Sequence, residues 1–557
     1  MWGTMNKLHL NKSLSRLAVA CALSVYALSA IAGSPVTPPT TGTVREPFKK
    51  PELKAPRDEA PPPVQQKSAP RPRSDDQRKI TVNRFEISGN AAFTTEQLLA
   101  PIKELQGQKL TLDEIYAAAD ILTDFYKTRG FSLAKVVVPA QRISLGVIQL
   151  EVIEGRLNAI NFEGNESYDG DFLRDYFSSV QAGQAVTLDS LERELLLLND
   201  LPGLTSRAVV RPGPVYGTSD LLIKSEEKPF QGRVSVNNYG RIGVGEWRVE
   251  AELIANNLIG VGDQFTVAIT QSESDALTYA NFAYSTPVNK RGTRIGANFS
   301  YIDFKVIDDQ FRGLDIEGEN RDYQITLSHP LQRSRRQNIL LGLGYGRNDS
   351  ESDNVFGSFS NNDIKLLDIS VLYNKVHDNN ATSSVSAVYS TNFRSNPDGQ
   401  TNNAQRGKLV IDANHLYPIS RNWNLFFRGI VSLSADPLAD SEQFSVGGQG
   451  SVRGFQSAEV RGDEGFAVTT EIRRRFNLEN ELPGSFRAFF DTGRIRNIEP
   501  SAGVDKEETL TSLGFGVTVV PARNFSLDLE YARPIDASAT DDGRDGGRVW
   551  FNATVLF

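Results

Sequence analysis

The chain has 557 residues and a formal net charge of −8, so it is long enough for several domains, and its acidity argues against a nucleic-acid-binding protein. Cys21 is its only cysteine and lies in a predicted targeting segment, which excludes disulfide bonds and cysteine metal sites from the mature chain. No apolar run after the N-terminus approaches the roughly 20 residues of a membrane-spanning helix, but alternating β-strands would escape such a search.

The N-terminal part of the chain predicts export. Residues 1–32 combine a basic start, an apolar stretch and a small-residue cleavage site at residues 30–32, which together are the pattern of a secretory signal peptide. Residues 33–79 are predicted to be a proline-rich linker, because eleven of the chain's 26 prolines lie in residues 35–72. Such a segment cannot sustain a helix and is expected to be extended.

Residues 80–155 predict a small α/β domain with the order β-α-α-β-β. Alternating residues 80–87 favour a strand, Thr94 or Thr95 can cap a first helix, and apolar residues at helical spacing favour a second helix over residues 112–128. Two further strands are predicted to close the domain, over residues 131–138 and then residues 147–153.

The same order repeats in residues 156–228, where Gly164 follows Gly89 at a distance of 75 residues. Two tandem copies of one module are a strong organisational signal. A sheet edge in either copy could capture an extended chain by adding a strand, and the alternative is that the pair is only a spacer.

Residues 229–557 predict a transmembrane β-barrel of sixteen antiparallel strands. Period-two alternation recurs there between short turns rich in Gly, Asn, Asp and Pro, and a closed barrel is the only sheet without an open edge in lipid. A soluble β-sandwich is disfavoured because the outward aromatic residues are numerous and the chain is predicted to be exported. The last strand ends on Phe557, and a terminal aromatic residue is typical of the assembly signal of bacterial outer-membrane barrels.

A glycine-rich connection at residues 436–465 is too long for a hairpin turn and contains apolar residues to bury. We predict that it folds back into the barrel, and we call it the lumen loop. Its motif places one cation, Arg453, among Val452, Gly454 and Phe455. The alternative is a solvated loop arginine.

A later strand supplies an inward-facing carboxylate for that cation. If Phe490 faces lipid, alternation directs Phe489 and Asp491 into the lumen. A bidentate pair of Asp491 with Arg453 would fix the loop to the wall. Two more predicted inward residues, Glu471 and Arg473, could join the network.

These motifs resemble those of the two-partner secretion transporters, the hemolysin-activator and filamentous-hemagglutinin transporter family of the POTRA-plus-barrel superfamily. The Val-Arg-Gly-Phe sequence at residues 452–455 resembles the family's loop motif, and the Phe-Phe-Asp sequence at residues 489–491 resembles its wall motif. Residues 126–131 and 198–203 are similar to segments of the family's first and second modules. The resemblance covers about residues 80–557.

The resemblance implies a fold of two periplasmic POTRA modules before a sixteen-stranded outer-membrane barrel. It implies that the chain exports one large partner protein, recognised by that partner's N-terminal secretion domain, without nucleotide hydrolysis or any cofactor. We also predict a monomer in outer-membrane lipid, which the barrel-assembly machinery inserts by recognising the terminal Phe557. Some relatives carry an N-terminal helix that plugs the barrel, and residues 33–79 are too rich in proline to predict one.

Three other functions are compatible with a barrel in the outer membrane. A barrel-assembly insertase has a related fold but normally more than two modules, and a passive porin needs no modules. An outer-membrane enzyme such as a phospholipase would need a serine near a histidine on the wall. His329, His377 and His415 show neither that pattern nor metal-ligand spacing in the sequence, so we predict no enzyme and no metal site.

Overall fold

The computed structural model describes residues 78–131, 133–178, 188–392, 396–397, 406–478, 482–500, 505–535, 544 and 546–557. The predicted signal peptide, and the predicted linker up to residue 77, lie outside these residues. Among the described residues, no helix combines the length and the apolar character that a membrane span requires.

The first module has the predicted order of elements, with one additional small pair of strands. Its core sheet has the order β2-β5-β4, in which β2 and β5 are parallel. Thr94 caps the first helix, and its hydroxyl accepts a hydrogen bond from the Gln97 amide. The bounds are β1 Ile80–Thr81, β2 Arg84–Ser88, α1 Thr95–Leu99, a 3₁₀ helix Ala100–Leu105, β3 Lys109–Leu110, α2 Leu112–Lys127, β4 Lys135–Val137 and β5 Val147–Ile153.

Strand β4 of this module is shorter than the strand predicted over residues 131–138. It begins at Lys135 instead of residue 131, because the chain before it still bonds to the end of α2. The Phe131 amide donates to the Tyr126 carbonyl, and the Ala134 amide donates to the Phe131 carbonyl. Those backbone groups are therefore used in a turn and cannot join the sheet.

The second module repeats the first, with the sheet order β6-β8-β7. In each copy a carboxylate at the end of the sheet holds the loop before the first helix. Glu154 accepts hydrogen bonds from the Ala91 and Ala92 amides, and Glu227 accepts from three successive amides beginning at Glu166. The bounds are β6 Arg156–Glu163, α3 Gly170–Arg174, a 3₁₀ helix Asp175–Phe177, α4 Leu188–Asn199, β7 Leu204–Pro212 and β8 Thr218–Glu227.

The rest of the described chain is a closed antiparallel barrel, which confirms the predicted fold. Sixteen strands form its wall, and β9 pairs with β27 to close it. They are β9 Phe230–Asn237, β10 Arg248–Asn256, β11 Gln264–Ser272, β12 Leu277–Pro287, β13 Arg294–Lys305, β14 Glu317–Arg333, β15 Gln337–Asn354, β16 Gly357–Val376, β17 Thr382–Asn392, β19 Gly407–Pro418, β20 Trp423–Ser434, β23 Glu464–Leu478, β24 Leu482–Arg496, β25 Glu507–Ala522, β26 Phe525–Pro534 and β27 Arg548–Leu556. A two-residue strand, β18 Asn396–Pro397, pairs with β16.

The C-terminal residue takes part in closing the barrel. The Gly232 amide donates to the Phe557 carbonyl at 2.8 Å, and the Phe557 amide donates back to the Gly232 carbonyl at 3.0 Å. The seam between the first and last strands therefore extends to the end of the chain. The aromatic side chain of Phe557 remains exposed.

The second module is docked on the short turns at one end of the barrel. Arg333, at the end of β14, makes two hydrogen bonds of 2.8 Å to the Asp200 carboxylate beyond α4. Lys290, in the turn after β12, lies over the Phe172 ring at 3.0 Å. Burial there lowers the pKa of Lys290, with Asp175 opposing the shift, and burial raises the pKa of the neighbouring Tyr176 to about 12. These contacts position the module at the mouth of the barrel.

Substitution of Gly89 tests how tightly the turn between β2 and α1 packs against the sheet. Both Gly89 and Gly107 have positive φ, but a Cβ at Gly89 would lie 2.3 Å from the Val152 carbonyl oxygen, whereas a Cβ at Gly107 would meet nothing within 4 Å. We expect Gly107→Ala to destabilise the module by about 1 kcal/mol through backbone strain, and Gly89→Ala by about 3 kcal/mol because the clash is added. Hydrogen exchange of the β5 amides in the full-length protein measures both. Equal effects would contradict the clash.

Candidate functional site

The lumen loop leaves β20 after Ser434 and returns to the wall at Glu464, close to the predicted bounds of 436–465. It has internal structure, with a 3₁₀ helix Asp440–Glu442 and a small hairpin of β21 Phe444–Val446 paired with β22 Val460–Gly462. The motif at residues 452–455 lies at the far end of that hairpin. The paired strands of the hairpin therefore hold the motif in a defined position.

Two apolar residues of the motif are fully buried. Val452 and Phe455 pack with Val446 of the hairpin and with Ile495 and Leu510 of the wall. This packing removes apolar side chains from water on both sides of the cation, and so it holds the tip of the loop against β24 and β25.

Gly454 allows the tip to approach the wall closely. Its amide donates to the Ser512 hydroxyl at 3.1 Å. A Cβ at this position would lie 2.6 Å from the Ser512 Cβ and 2.9 Å from the Pro534 nitrogen. Any larger residue would therefore push the loop away from β25 and β26.

The structure places Arg453 against Asp491. Its Nε and Nη2 atoms donate to the two carboxylate oxygens, each at 2.8 Å, and its backbone amide lies 3.3 Å from one of them. This is a bidentate, charge-assisted pair. Asp491 is fully buried and Arg453 is 3% exposed, so the pair is shielded from water.

Two further carboxylates surround the same guanidinium. Nη1 of Arg453 lies 2.8 Å from Glu471 and 3.5 Å from Glu530, and the Phe489 ring centroid lies 3.3 Å from its central carbon. Both glutamates are buried. One cation therefore compensates three buried carboxylates, with help from the neighbouring arginines.

Those neighbours extend the network along the wall. Arg473 donates from Nε to Glu471 at 2.6 Å, and Arg487 donates from Nε to Glu530 at 2.6 Å. Arg487 also pairs with Asp528. Each glutamate beside Arg453 is thus shared with a second guanidinium, which lowers the energy of burying several like charges together.

The loop is attached to the wall at several places around the lumen. Trp550 of β27 donates from its indole nitrogen to the Arg453 carbonyl at 2.7 Å. Arg241, beyond β9, donates to the Ala458 carbonyl at 2.6 Å, and Lys408 of β19 pairs with Glu442 at 2.8 Å. Because β9 and β19 are separated by many strands around the wall, the loop extends across the barrel interior.

The sequence alone did not identify Glu530, Ser512 or Trp550 as contacts of the motif. Alternation on β26 directs Glu530 inward, since Leu529 faces out, and the same rule directs Trp550 inward. Alternation could therefore have identified Glu530 and Trp550 as residues that face the lumen. Which of the inward residues meets the loop tip depends on the register between strands, and alternation does not give the register.

The structure places a serine beside two histidines, an arrangement that the spacing of the histidines in the sequence did not indicate. His377 and His415 both contact the Ser383 hydroxyl, through Nε2 at 2.9 Å and Nδ1 at 2.8 Å, although they are 38 residues apart in the sequence. The register of β17 with β19 places Ser383 opposite His415. Among the described residues no carboxylate hydrogen-bonds to either ring, so this cluster lacks the acidic member of a catalytic triad.

Comparison with known proteins agrees with this architecture. The family described as haemolysin secretion/activation protein ShlB/FhaC/HecB matches residues 217–519, and the ShlB-type POTRA domain matches residues 80–155. The heme/hemopexin transporter protein HuxB of Haemophilus influenzae is 24% identical over 488 residues, covering 84% of this chain and 85% of that protein.

Two solved structures share the fold. CdiB from Escherichia coli superposes with a TM-score of 0.69 at 21% identity, covering 89% of this chain and 94% of that chain. BamA from Haemophilus ducreyi, lacking POTRA domains 1–3, gives a TM-score of 0.53 at 16% identity, covering 86% of this chain and 100% of that chain. At these identities the likeness concerns the fold alone.

A sixteen-stranded barrel with POTRA modules at one end defines the POTRA-plus-barrel class of outer-membrane proteins. The chain belongs to the haemolysin secretion/activation family of two-partner secretion transporters, since that family's pattern covers more than half of its length. It lies in the outer membrane with its modules in the periplasm, and it exports a partner protein. The short turns that carry the second module therefore face the periplasm.

The buried ion pairs predict how the loop responds to mutation. Arg453→Met leaves three buried carboxylates without their shared cation, at a cost of about 3–5 kcal/mol, so we expect the loop to leave the wall. Arg453→Met with Asp491→Leu removes both charges of the closest pair and is expected to restore part of the docking. A spin label at Gly450→Cys, where a side chain meets nothing within 4 Å, reports loop mobility.

Arg494→Met is the matched control, because Arg494 is on the same strand as Asp491 and pairs with Glu507 at an exposed site. We expect its label spectrum to equal that of the unsubstituted protein. A loop that stays immobile in Arg453→Met would contradict the electrostatic account, and so would a double variant that is more mobile than the single one.

Proposed function

We propose that this chain captures one secreted partner protein in the periplasm by its N-terminal secretion domain and conducts it, unfolded, through the barrel to the cell surface. The Arg453–Asp491 pair acts as a lock that holds the lumen loop to the wall between transport events. Release of the loop then opens the path for the partner.

The observation that carries this proposal is the position of the loop across the lumen. A chain cannot pass while Arg241, Lys408 and Trp550 hold the loop on different sides of the wall. These three contacts are hydrogen bonds or ion pairs, and water molecules can take the place of their partners. The loop can therefore move without unfolding the barrel.

Partner capture is assigned to the modules. The strands β4 and β7 are edges of their sheets and can each accept an extended segment. The tip of the β7–β8 hairpin presents Val215 and Tyr216, which are 61% and 72% exposed. The Gly217 carbonyl of this tip accepts a hydrogen bond from the Arg156 amide, so the tip lies at the junction of the two modules.

Several finer features belong to the same proposal. Transport needs no nucleotide hydrolysis and no cofactor, and the chain acts as a conduit and not as an enzyme. It works as a monomer in outer-membrane lipid. Phe557 serves as the signal by which the barrel-assembly machinery inserts it.

A barrel-assembly insertase is the competing function. Its likeness to this chain is one of fold, and the described residues contain two modules, fewer than that function normally uses. The family to which the chain belongs is one of transporters. Export of a partner protein is therefore the better-supported function.

The lock predicts a secretion defect. We expect Arg453→Ala and Asp491→Ala each to reduce export of the partner protein by at least about tenfold, because a loop that has lost several kcal/mol of docking energy no longer returns to one defined position between transport events. Secretion assays measure this effect, with barrel abundance in the membrane as a control. Arg494→Ala should export normally. Normal export by both lock variants would count against the proposal.

The hairpin tip predicts a binding defect that is separate from the lock. We expect Val215→Ser with Tyr216→Ser to weaken binding of the partner's secretion domain by roughly tenfold, because exposed apolar side chains at a recognition surface contribute about 1 kcal/mol or more each. Leu145→Ser is the matched control, since Leu145 is an apolar residue of the first module that is also exposed, by 87%. Unchanged affinity in the double variant would remove the tip from the recognition surface.

A further inference from the structure

The outer face of the barrel carries a polar cluster at its periplasmic end. Lys375 of β16, Ser383 of β17 and His415 of β19 lie directly opposite one another in register. They share the outward face with Ile369, Val371 and Tyr389, which are exposed. His377, in the turn after β16, joins them through the Ser383 hydroxyl.

The position of this row along the strands puts it at the membrane surface. One step toward the membrane centre, the facing residues are Tyr373, Val385 and Ala413, and apolar residues continue beyond them. The row lies next to the short turns that face the periplasm. Tyr417, exposed on the same face, stacks on the His415 ring, and such aromatic residues are typical of the headgroup level.

The cluster offers hydrogen-bond donors and positive charge. A single serine hydroxyl bridges two imidazoles by donating to one and accepting from the other. When both rings are neutral, one of them must therefore direct an N–H away from the serine. Lys375 is the register partner of Ser383 on the neighbouring strand, so the two backbones lie about 5 Å apart across the sheet.

The two imidazoles and the Lys375 ammonium are available to an anionic ligand. Among the described residues, neither the imidazoles nor Lys375 forms an ion pair with a carboxylate. The acidic residue of the same turn, Asp378, pairs with Arg336 at 2.5 Å. A ligand that meets this row must therefore bring its own negative charge.

We propose that Lys375, His377, Ser383 and His415 bind the phosphate of a phospholipid in the periplasmic leaflet of the outer membrane. The lipid is favoured over free phosphate because the row borders the apolar outer face, where acyl chains would pack on Val385 and Ala413. Basic clusters at such a level recognise lipid headgroups by charge and hydrogen bonding. This anchor would fix the β16–β19 side of the barrel at a constant depth.

Native mass spectrometry of the full-length protein in detergent, titrated with phosphatidylglycerol, tests the proposal. We expect Lys375→Gln with His415→Gln to reduce lipid occupancy at least fivefold, the effect of roughly one membrane-facing cation. The matched control is Arg421→Gln with Arg474→Gln. It removes two exposed cations from the same rim and should leave occupancy unchanged.

The experiment separates the possible outcomes. Equal losses in both double variants would mean that general charge attracts lipid, and no loss in the first variant would mean that the row is not a site. Either result overturns the proposal. Displacement of the lipid by millimolar inorganic phosphate, or equal binding of uncharged diacylglycerol, also overturns it.

Lys375→Gln alone is the second variant, in case the double variant inserts poorly. It disturbs no hydrogen bond or ion pair among those of the described residues. We expect it to reduce lipid occupancy by itself, and unchanged occupancy would refute the assignment of this lysine.

Discussion

The burial of the Arg453 guanidinium inside the barrel is the constraint on which the position of the lumen loop depends. Arg453 cannot be removed from water without compensation, and Asp491, Glu471 and Glu530 provide it at 3.5 Å or less. Apolar packing of Val452 and Phe455 excludes water from the pair. A short motif can therefore hold a loop of about thirty residues in one place, because its charges have few alternative partners.

In our proposal the lock must open during transport, and the remaining contacts of the loop are of a kind that favours this. Isolated buried ion pairs contribute little net stability compared with apolar packing, but they strongly favour one geometry. The loop's attachments through Arg241 and Lys408 are polar in the same way. Release of the lumen loop, as we propose it, is easier from polar attachments of this kind than from a large apolar contact, since water can replace the polar partners.

The second module is attached to the barrel through the short periplasmic turns. Arg333 binds Asp200 of the second module, and the repeated carboxylates Glu154 and Glu227 stiffen each module where its sheet meets its first helix. In our proposal, a partner bound at the modules is thus delivered to a fixed position below the barrel. The polar row on the outer face, in our proposal, fixes the barrel's own depth in the membrane.

The sequence by itself determined the strand count, the two modules and the direction in which Phe489, Asp491 and Glu471 point, because period-two alternation depends only on neighbouring residues. It did not determine that Glu530 and Trp550 meet the loop, nor that Ser383 joins two distant histidines. Those contacts depend on strand register and on the curvature of the closed barrel. Both properties arise only when all sixteen strands pair, so the tertiary structure alone decided them.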